Sequence, residues 1–222
     1  AYLGTSQIFK TNTSDCGVDK VTEGIHDIGP INLKSGVLVA GLVSMSMAPE
    51  VSVIDMTTGQ VKQISFINKA VYESIKMGKV EERYIKTKDH KDLQMWIIYP
   101  PDFEPSKKYP ALLFCNGGPQ TQIGQFWSYR WNFQMMASKG YIVIAPNRRG
   151  NSGFGQAWKK QISGDYGGLN IQDYLDATDT MAKEPFVDAA RMGAVGASYG
   201  GYSVFYLAGF HAGRYKAFIS HC

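Results

Sequence analysis

One serine lies in a pentapeptide of the form Gly-x-Ser-x-Gly, the elbow Gly196-Ala197-Ser198-Tyr199-Gly200. An apolar run that ends at Val195 precedes it, and a helical pattern begins near Gly200. A serine on such a tight strand-to-helix turn is held in strained backbone angles, with its hydroxyl exposed above a sheet. The helix N-terminus beneath that hydroxyl favours negative charge. The spacing therefore predicts that Ser198 is the nucleophile of an acyl-transfer reaction.

A second glycine-rich segment, the oxyanion loop Asn116-Gly117-Gly118-Pro119, follows an apolar run that ends at Cys115. Where a serine nucleophile sits on an elbow, a loop after an earlier strand supplies one hydrogen-bond donor to the oxyanion. The residue after the serine supplies another through its backbone N–H. Asn116, Gly117 and Tyr199 are therefore the predicted donors. Each donor of this kind stabilises a transition state by about 2.7–4 kcal/mol.

Strands and helices alternate from about residue 80 onwards. The predicted strands are Lys91–Tyr99, Ala111–Cys115, Tyr141–Pro146, Arg191–Val195 and Ala217–Ile219, and the predicted helices cover Trp131–Ser138, a segment capped by Asn170, and Gly200–Phe210. Short continuous apolar runs are typical of parallel sheets, and the alternation implies right-handed crossovers. This part of the chain is predicted to have an α/β fold. Its acidic residues near the helices are expected to be solvated or capping groups: Asp165, Asp173, Asp176 and Asp179.

The upstream part of the chain has a β pattern, with short strands joined by tight turns. Gly36–Val43 is a buried-strand run, and Val51–Asp55 and Val61–Ile64 flank a predicted hairpin turn at Met56–Gln60. Strands of this kind are typical of one or two blades of a larger β array, such as a propeller. We therefore expect two domains. Residues 1–78 would be the last blade or blades of a β-propeller, and residues 79–222 the N-terminal portion of an α/β domain.

The composition excludes several classes of function. Hydrophobic residues make up 44% of the 222 residues and charged residues 19%, which permits a sizeable core and argues against disorder. The formal net charge is +4, and the basic residues form pairs rather than a stripe, so neither nucleic acid nor a membrane is an expected partner. The three cysteines, Cys16, Cys115 and Cys222, are spaced neither as a disulfide framework nor as a zinc site. No metal and no cofactor is expected.

These segments together resemble the prolyl oligopeptidase family, which joins a β-propeller to a C-terminal α/β-hydrolase domain. Residues 196–201 are similar to the elbow of its dipeptidyl peptidase and acylaminoacyl peptidase branches. The oxyanion loop, Asn147–Gly155 and Gly164–Gly168 are similar to further family segments in the same order. The resemblance covers nearly the whole chain. It is strongest to bacterial dipeptidyl peptidases of the acylaminoacyl-peptidase-like branch.

The resemblance implies a serine peptidase that hydrolyses short peptides and releases N-terminal dipeptides. It implies that Tyr199 borders a specificity pocket, and Trp127 is a further candidate for contact with the substrate. It also implies a homodimer formed through the hydrolase domain and leans towards a periplasmic location. Asn116 departs from the family, which usually has Tyr or His at this position. The donor that this loop provides is therefore open between the Asn116 side chain and the backbone N–H groups.

The acid and the base of the expected Ser-His-Asp triad follow the serine in this fold, in the order Ser, Asp, His. The residues after Ser198 suffice for one helix and one strand, so we expect both partners beyond Cys222. Both ends of the sequence look cut, and the isolated segment is predicted to be inactive because a serine without a base is weakly nucleophilic. The histidines present are poor candidates for the base: His26, His90, His211 and His221.

The same residues allow three other interpretations. A carboxylesterase or lipase uses the same elbow, although the upstream β array is unusual for one. An acylaminoacyl or omega peptidase differs in whether a free N-terminal amine is required. A binding protein without activity would keep the fold and lack a reactive serine.

Overall fold

The structure is a computed structural model that describes residues 1–221 and separates them into two compact units. The first unit consists of residues 1–76 together with 124–132, and the second of residues 77–123 together with 133–221.

The first unit is built mainly from antiparallel strands. Its elements are β1 (Phe9–Thr11), β2 (Val18–Lys20), β3 (Asp27–Lys34), β4 (Val37–Ser44), β5 (Met47–Ile54), β6 (Val61–Gln63) and the short helix α1 (Lys69–Ser74). β1 pairs with β2, and β3 to β6 form a four-stranded sheet in chain order. The predicted hairpin is confirmed, because β5 and β6 pair antiparallel with Ser52 opposite Gln63.

The second unit is a six-stranded sheet with helices between its strands. Its elements are β7 (Val80–Lys86), β8 (Asp92–Ile98), β9 (Tyr109–Cys115), α2 (Phe133–Ser138), β10 (Ile142–Pro146), α3 (Gln156–Lys160), α4 (Leu169–Ala182), β11 (Val187–Ala197), α5 (Tyr199–Phe210) and β12 (Ala217–His221). The strand order is β12-β11-β9-β10-β8-β7. The pairs β12–β11, β11–β9 and β9–β10 are parallel, whereas β8 is antiparallel to both β10 and β7. The predicted α/β class is confirmed for this unit.

The central strands of the sheet are covered on both faces. From Leu93 to Ile98 in β8 every side chain is at most 1% exposed, and Ile142–Ala145 in β10 are wholly buried. Burial on both faces explains why these segments appear in the sequence as continuous apolar runs rather than as alternating ones. Within residues 1–221, no helix combines the length and the apolar character that crossing a lipid bilayer requires.

Two predictions about α4 are wrong. Asn170 does not cap the helix: Gly168 is at the N-cap position, and the Asn170 side chain donates to the Tyr166 carbonyl and to the Tyr199 hydroxyl. Asp173 is neither solvated nor a cap, because it is wholly buried in an ion pair with Arg149. In both cases a partner distant in sequence determines the side chain's position, and local helix signals do not reveal such partners.

Candidate active site

Ser198 occupies the turn between β11 and α5. It is the N-cap of α5, with φ 57° and ψ −126°, in the region of positive φ that is uncommon for a residue other than glycine. Backbone conformations of this kind cost about 1–3 kcal/mol and cluster at functional sites. The residue is exposed, and its hydroxyl makes no hydrogen bond with any of residues 1–221. Its oxygen is therefore free to meet a ligand.

The glycines of the elbow permit a close approach to β9. A Cβ on Gly196 would lie 2.6 Å from the Gly200 carbonyl oxygen and 2.7 Å from that of Cys115. A Cβ on Gly200 would overlap the Cys115 carbonyl oxygen. The turn can hold Ser198 in its strained conformation only if both positions lack a side chain.

Gly200→Ala is therefore expected to lower the free energy of unfolding by about 1–3 kcal/mol, the usual cost of forcing atoms into a packed position. Thermal or urea unfolding of the full-length protein measures the change. Gly209→Ala is the matched control, since Gly209 lies in the same helix and a Cβ there meets no atom within 4 Å. That control is expected to stabilise the helix by up to about 1 kcal/mol. Equal stability of the two variants would contradict the tight turn.

Two backbone N–H groups near Ser198 have no acceptor among the described residues. One belongs to Tyr199, the first residue of α5, and the other to Gly117 in the oxyanion loop. A Cβ built on Gly117 would lie 3.6 Å from the Ser198 Cβ, which places this loop beside the serine. An anionic oxygen bound next to Ser198 would have these two donors within reach.

Asn116 has its donors engaged in the protein. Its backbone N–H donates to the Tyr174 hydroxyl (3.0 Å), and its side-chain Nδ2 donates to the Thr121 carbonyl (2.6 Å). The residue is 9% exposed. These bonds fix the shape of the oxyanion loop, and the N–H of the next residue, Gly117, has no acceptor in the part of the chain that the structure describes.

Two consecutive buried arginines follow β10, and the first of them, Arg148, donates to the Pro119 carbonyl of the oxyanion loop. Arg149 is held by two carboxylates: its Nη2 lies 2.8 Å from the Asp173 Oδ1 and 2.8 Å from the Asp89 Oδ1. Arg148 contacts no carboxylate within residues 1–221, and its guanidinium lies against the rings of Tyr174 and Tyr199. Neither arginine was predicted from the sequence to be a site residue. Their position directly after a buried strand was a usable signal, because ligand sites in such sheets lie at the carboxyl ends of the strands.

The buried tyrosines and the cysteine close to these arginines stay protonated at neutral pH. Burial raises the pKa of the Tyr174 hydroxyl and of the Cys115 thiol. Burial likewise raises the pKa of the Tyr199 hydroxyl, although Arg148 opposes the shift. None of these groups therefore places a negative charge beside Ser198.

The histidines do not engage the Ser198 hydroxyl. His211 is the C-cap of α5, at the opposite end of the helix from Ser198, and its Nδ1 accepts the Tyr215 N–H. His221 is aligned with Ala197 in the parallel β11–β12 pair, and its carbonyl accepts the Ser198 N–H at 2.8 Å. His90 lies in the turn between β7 and β8, and His26 belongs to the first unit.

Trp127 lies in the first unit, whereas Ser198 lies in the second. Its ring packs edge-on against Tyr72 and Tyr129, with ring centroids 6.2 and 6.5 Å apart. Its contact with a substrate stays a prediction.

Known proteins match both the sequence and the fold. Residues 127–222 match the prolyl oligopeptidase family. Dipeptidyl-peptidase 5 of Porphyromonas gingivalis is 48% identical over 92% of this chain and 30% of its own length. Dipeptidyl-peptidase 5 of Porphyromonas endodontalis is 44% identical over 97% of this chain and 31% of its own length. The chain thus spans about 30% of the length of these curated relatives.

Solved structures show the same architecture. The acylaminoacyl peptidase of Pyrococcus horikoshii is 25% identical, with a TM-score of 0.82 over 93% of this chain and 32% of that one. The dipeptidyl peptidase 4 of Porphyromonas gingivalis, at 22% identity and a TM-score of 0.67, shares the fold.

Proposed function

Because residues 127–222 belong to the prolyl oligopeptidase family of serine peptidases, we propose that Ser198 is the nucleophile of a peptidase that hydrolyses short peptides. We further propose that the full-length protein releases dipeptides from their N-termini, as the names of its two Porphyromonas relatives suggest. The observation that carries the proposal is the exposed Ser198 on a strained turn, beside two N–H groups that have no acceptor within residues 1–221.

The proposed reaction begins when the Ser198 Oγ attacks the carbonyl carbon of the scissile peptide bond, while a histidine takes the hydroxyl proton. The carbonyl oxygen becomes an oxyanion, and the N–H groups of Gly117 and Tyr199 donate to it. Collapse of this intermediate breaks the C–N bond, and the histidine returns the proton to the leaving amine. Water then attacks the acyl-enzyme by the same route and releases the N-terminal fragment.

Gly117 is the better candidate for the loop donor. The Asn116 backbone N–H is already bonded to Tyr174, and its side chain is bonded to Thr121. The Gly117 N–H has no acceptor among residues 1–221 and lies beside Ser198. A donor that is fixed in place and unoccupied needs no rearrangement when charge develops on the substrate, which is the condition for strong transition-state stabilisation.

We place the triad acid and base in residues of the longer protein that follow the described chain. The Ser198 hydroxyl has no hydrogen-bond partner within residues 1–221, and the triad order in this fold is Ser, Asp, His. The curated relatives are more than three times as long as the part that this chain matches. A segment limited to these residues would therefore lack the base that activates the serine.

The upstream strands are proposed to be part of a propeller domain that occupies residues 1–78, with the hydrolase domain in residues 79–222. The four-stranded antiparallel sheet of β3 to β6 has the size of one propeller blade, which supports this assignment. A propeller would restrict entry to small or extended peptides. Tyr199 is proposed to border the substrate pocket, and Trp127 remains a candidate contact. A homodimer formed through the hydrolase domain remains a proposal as well.

The requirement for a free N-terminal amine tests dipeptide release. The full-length protein should hydrolyse dipeptidyl chromogenic amides with a kcat/KM at least about 100-fold above that for the same amides N-acylated, since a site that pairs with a substrate's charge rejects the analogue that lacks it. Short acyl esters serve as a third substrate class.

The outcomes separate the alternatives. A preference for the N-acylated amide would indicate an acylaminoacyl peptidase, and turnover of esters alone a carboxylesterase. If no substrate were turned over and a fluorophosphonate failed to label Ser198, the protein would be a binding protein.

A further inference from the structure

Arg148 is a wholly buried cation that has no counterion among the described residues. Its side chain is 0% exposed, and it makes no salt bridge within residues 1–221. Its neighbour Arg149 is equally buried but contacts two carboxylates. Burying an ionised group costs free energy unless hydrogen bonds or an opposite charge compensate for it. The hydrogen bonds and ring contacts of Arg148 must therefore compensate for the burial of its charge.

The guanidinium ties down both ends of the oxyanion loop. Its Nη1 donates to the Pro119 carbonyl (2.8 Å). Its Nε donates to the Tyr174 hydroxyl (3.2 Å), and the same hydroxyl accepts the Asn116 N–H (3.0 Å). Gly117 lies between these two anchored residues, so the direction of its N–H depends on them.

The same guanidinium also contacts the residue that carries the second donor. Its central carbon lies 4.7 Å from the centroid of the Tyr199 ring, within the range of a cation–π interaction. The Tyr199 hydroxyl in turn donates to the Tyr166 carbonyl (2.9 Å). Arg148 therefore touches both elements that hold the unoccupied N–H groups beside Ser198.

The remaining nitrogen of Arg148 has no role in folding that the structure shows. Its Nη2 is buried and has no hydrogen-bond acceptor among the described residues. Burial of a charged nitrogen that has no acceptor costs free energy. The buried Nη2 thus opposes folding, whereas Nε and Nη1 hold the oxyanion loop.

We propose that Arg148 is a positioning residue for the oxyanion hole: it fixes the Gly117 N–H through Pro119 and Tyr174 and fixes the Tyr199 N–H through the Tyr199 ring. The inference deepens the proposed function and rests on it. Lysine cannot replace the arginine fully, because it lacks the planar fork that reaches a carbonyl and a hydroxyl at once.

The test measures kcat per active site in the full-length protein, with a dipeptidyl chromogenic amide and with active sites counted by fluorophosphonate titration. Arg148→Met is expected to lower kcat by about 10- to 100-fold, because a displacement of about 1 Å in a catalytic group can cost 10²-fold. KM is expected to stay within about twofold, and the unfolding temperature is expected not to fall in parallel. Arg148→Lys is expected to recover part of the loss.

Arg214→Lys is the control. Arg214 pairs with Asp179 and lies beyond the end of α5 that is opposite Ser198, so this variant is expected to leave kcat unchanged. The proposal is overturned if Arg148→Met keeps kcat within twofold of the wild-type value. It is also overturned if a smaller number of titrated active sites explains the whole loss of total activity. A wild-type protein with no Ser198-dependent turnover would overturn the proposed function as well, so the two failures are distinguishable.

Discussion

Ser198→Ala in the full-length protein is expected to lower kcat by about 10⁶-fold, the scale seen when the nucleophile of a serine protease is removed. Without the Oγ no acyl-enzyme can form, and only binding and oxyanion stabilisation remain. Hydrolysis of a dipeptidyl chromogenic amide measures the loss. The variant should also resist labelling by a fluorophosphonate.

Ser138→Ala is the matched control for this variant. Ser138 is exposed at the end of α2, and its hydroxyl donates to the Met135 carbonyl. This control should keep the wild-type rate and the wild-type labelling. Residual turnover by Ser198→Ala at more than a few per cent of wild type would assign the nucleophile to another residue.

Asp173→Ala is expected to lower the free energy of unfolding by about 3–5 kcal/mol, the usual cost of removing one partner from a buried ion pair. The Asp173 carboxylate accepts from the Arg149 N–H (2.7 Å), Nε (2.9 Å) and Nη2 (2.8 Å), and the substitution leaves these donors buried. Trp158 lies against the Arg149 guanidinium, with 5.2 Å between its ring centroid and the guanidinium carbon. Urea unfolding followed by tryptophan fluorescence would therefore report the change.

Asp188→Asn provides the comparison, because Asp188 forms a local pair with the exposed Arg191. Exposed pairs contribute little to stability, so its urea midpoint should stay close to that of wild type. If Asp173→Ala unfolded at the same midpoint as Asp188→Asn, the Arg149–Asp173 pair would not stabilise the sheet.

The elbow could be predicted from the sequence because its constraints are local. Gly196 and Gly200 both have to clear carbonyl oxygens near Cys115, and those steric requirements act within one short segment and one neighbouring strand. The strands β9, β10 and β11 could also be predicted, because strands buried on both faces have continuous apolar sequences. The structure begins α5 at Tyr199 and ends β11 at Ala197, within two residues of the prediction.

The ion pairs and the contacts of the two buried arginines could not be predicted, because they join residues that are distant in sequence. Asp173 was expected at the surface, yet its partner Arg149 stands 24 residues earlier and brings it into the interior. Asn170 follows the same rule, since its side chain reaches Tyr199, 29 residues away. Neither partner leaves a periodic signal in the helix.

The first unit was harder to predict than the second. β4, β5 and β6 follow apolar or turn signals, whereas β3 contains Gly29 and Pro30, residues that are rare inside strands, and is exposed beyond Ile28. Pairing with β4 rather than intrinsic preference places this segment in the sheet.

The positive φ of Ser198 also bears on how this protein can evolve. A glycine at position 198 would relax the turn, because it has no Cβ that opposes a positive φ. Selection for stability alone would thus favour glycine at this position, and the proposed catalytic role of the hydroxyl would oppose that change. A homologue that has glycine in place of this serine is therefore expected to keep the fold and its stability while it lacks the hydroxyl that we propose as the nucleophile.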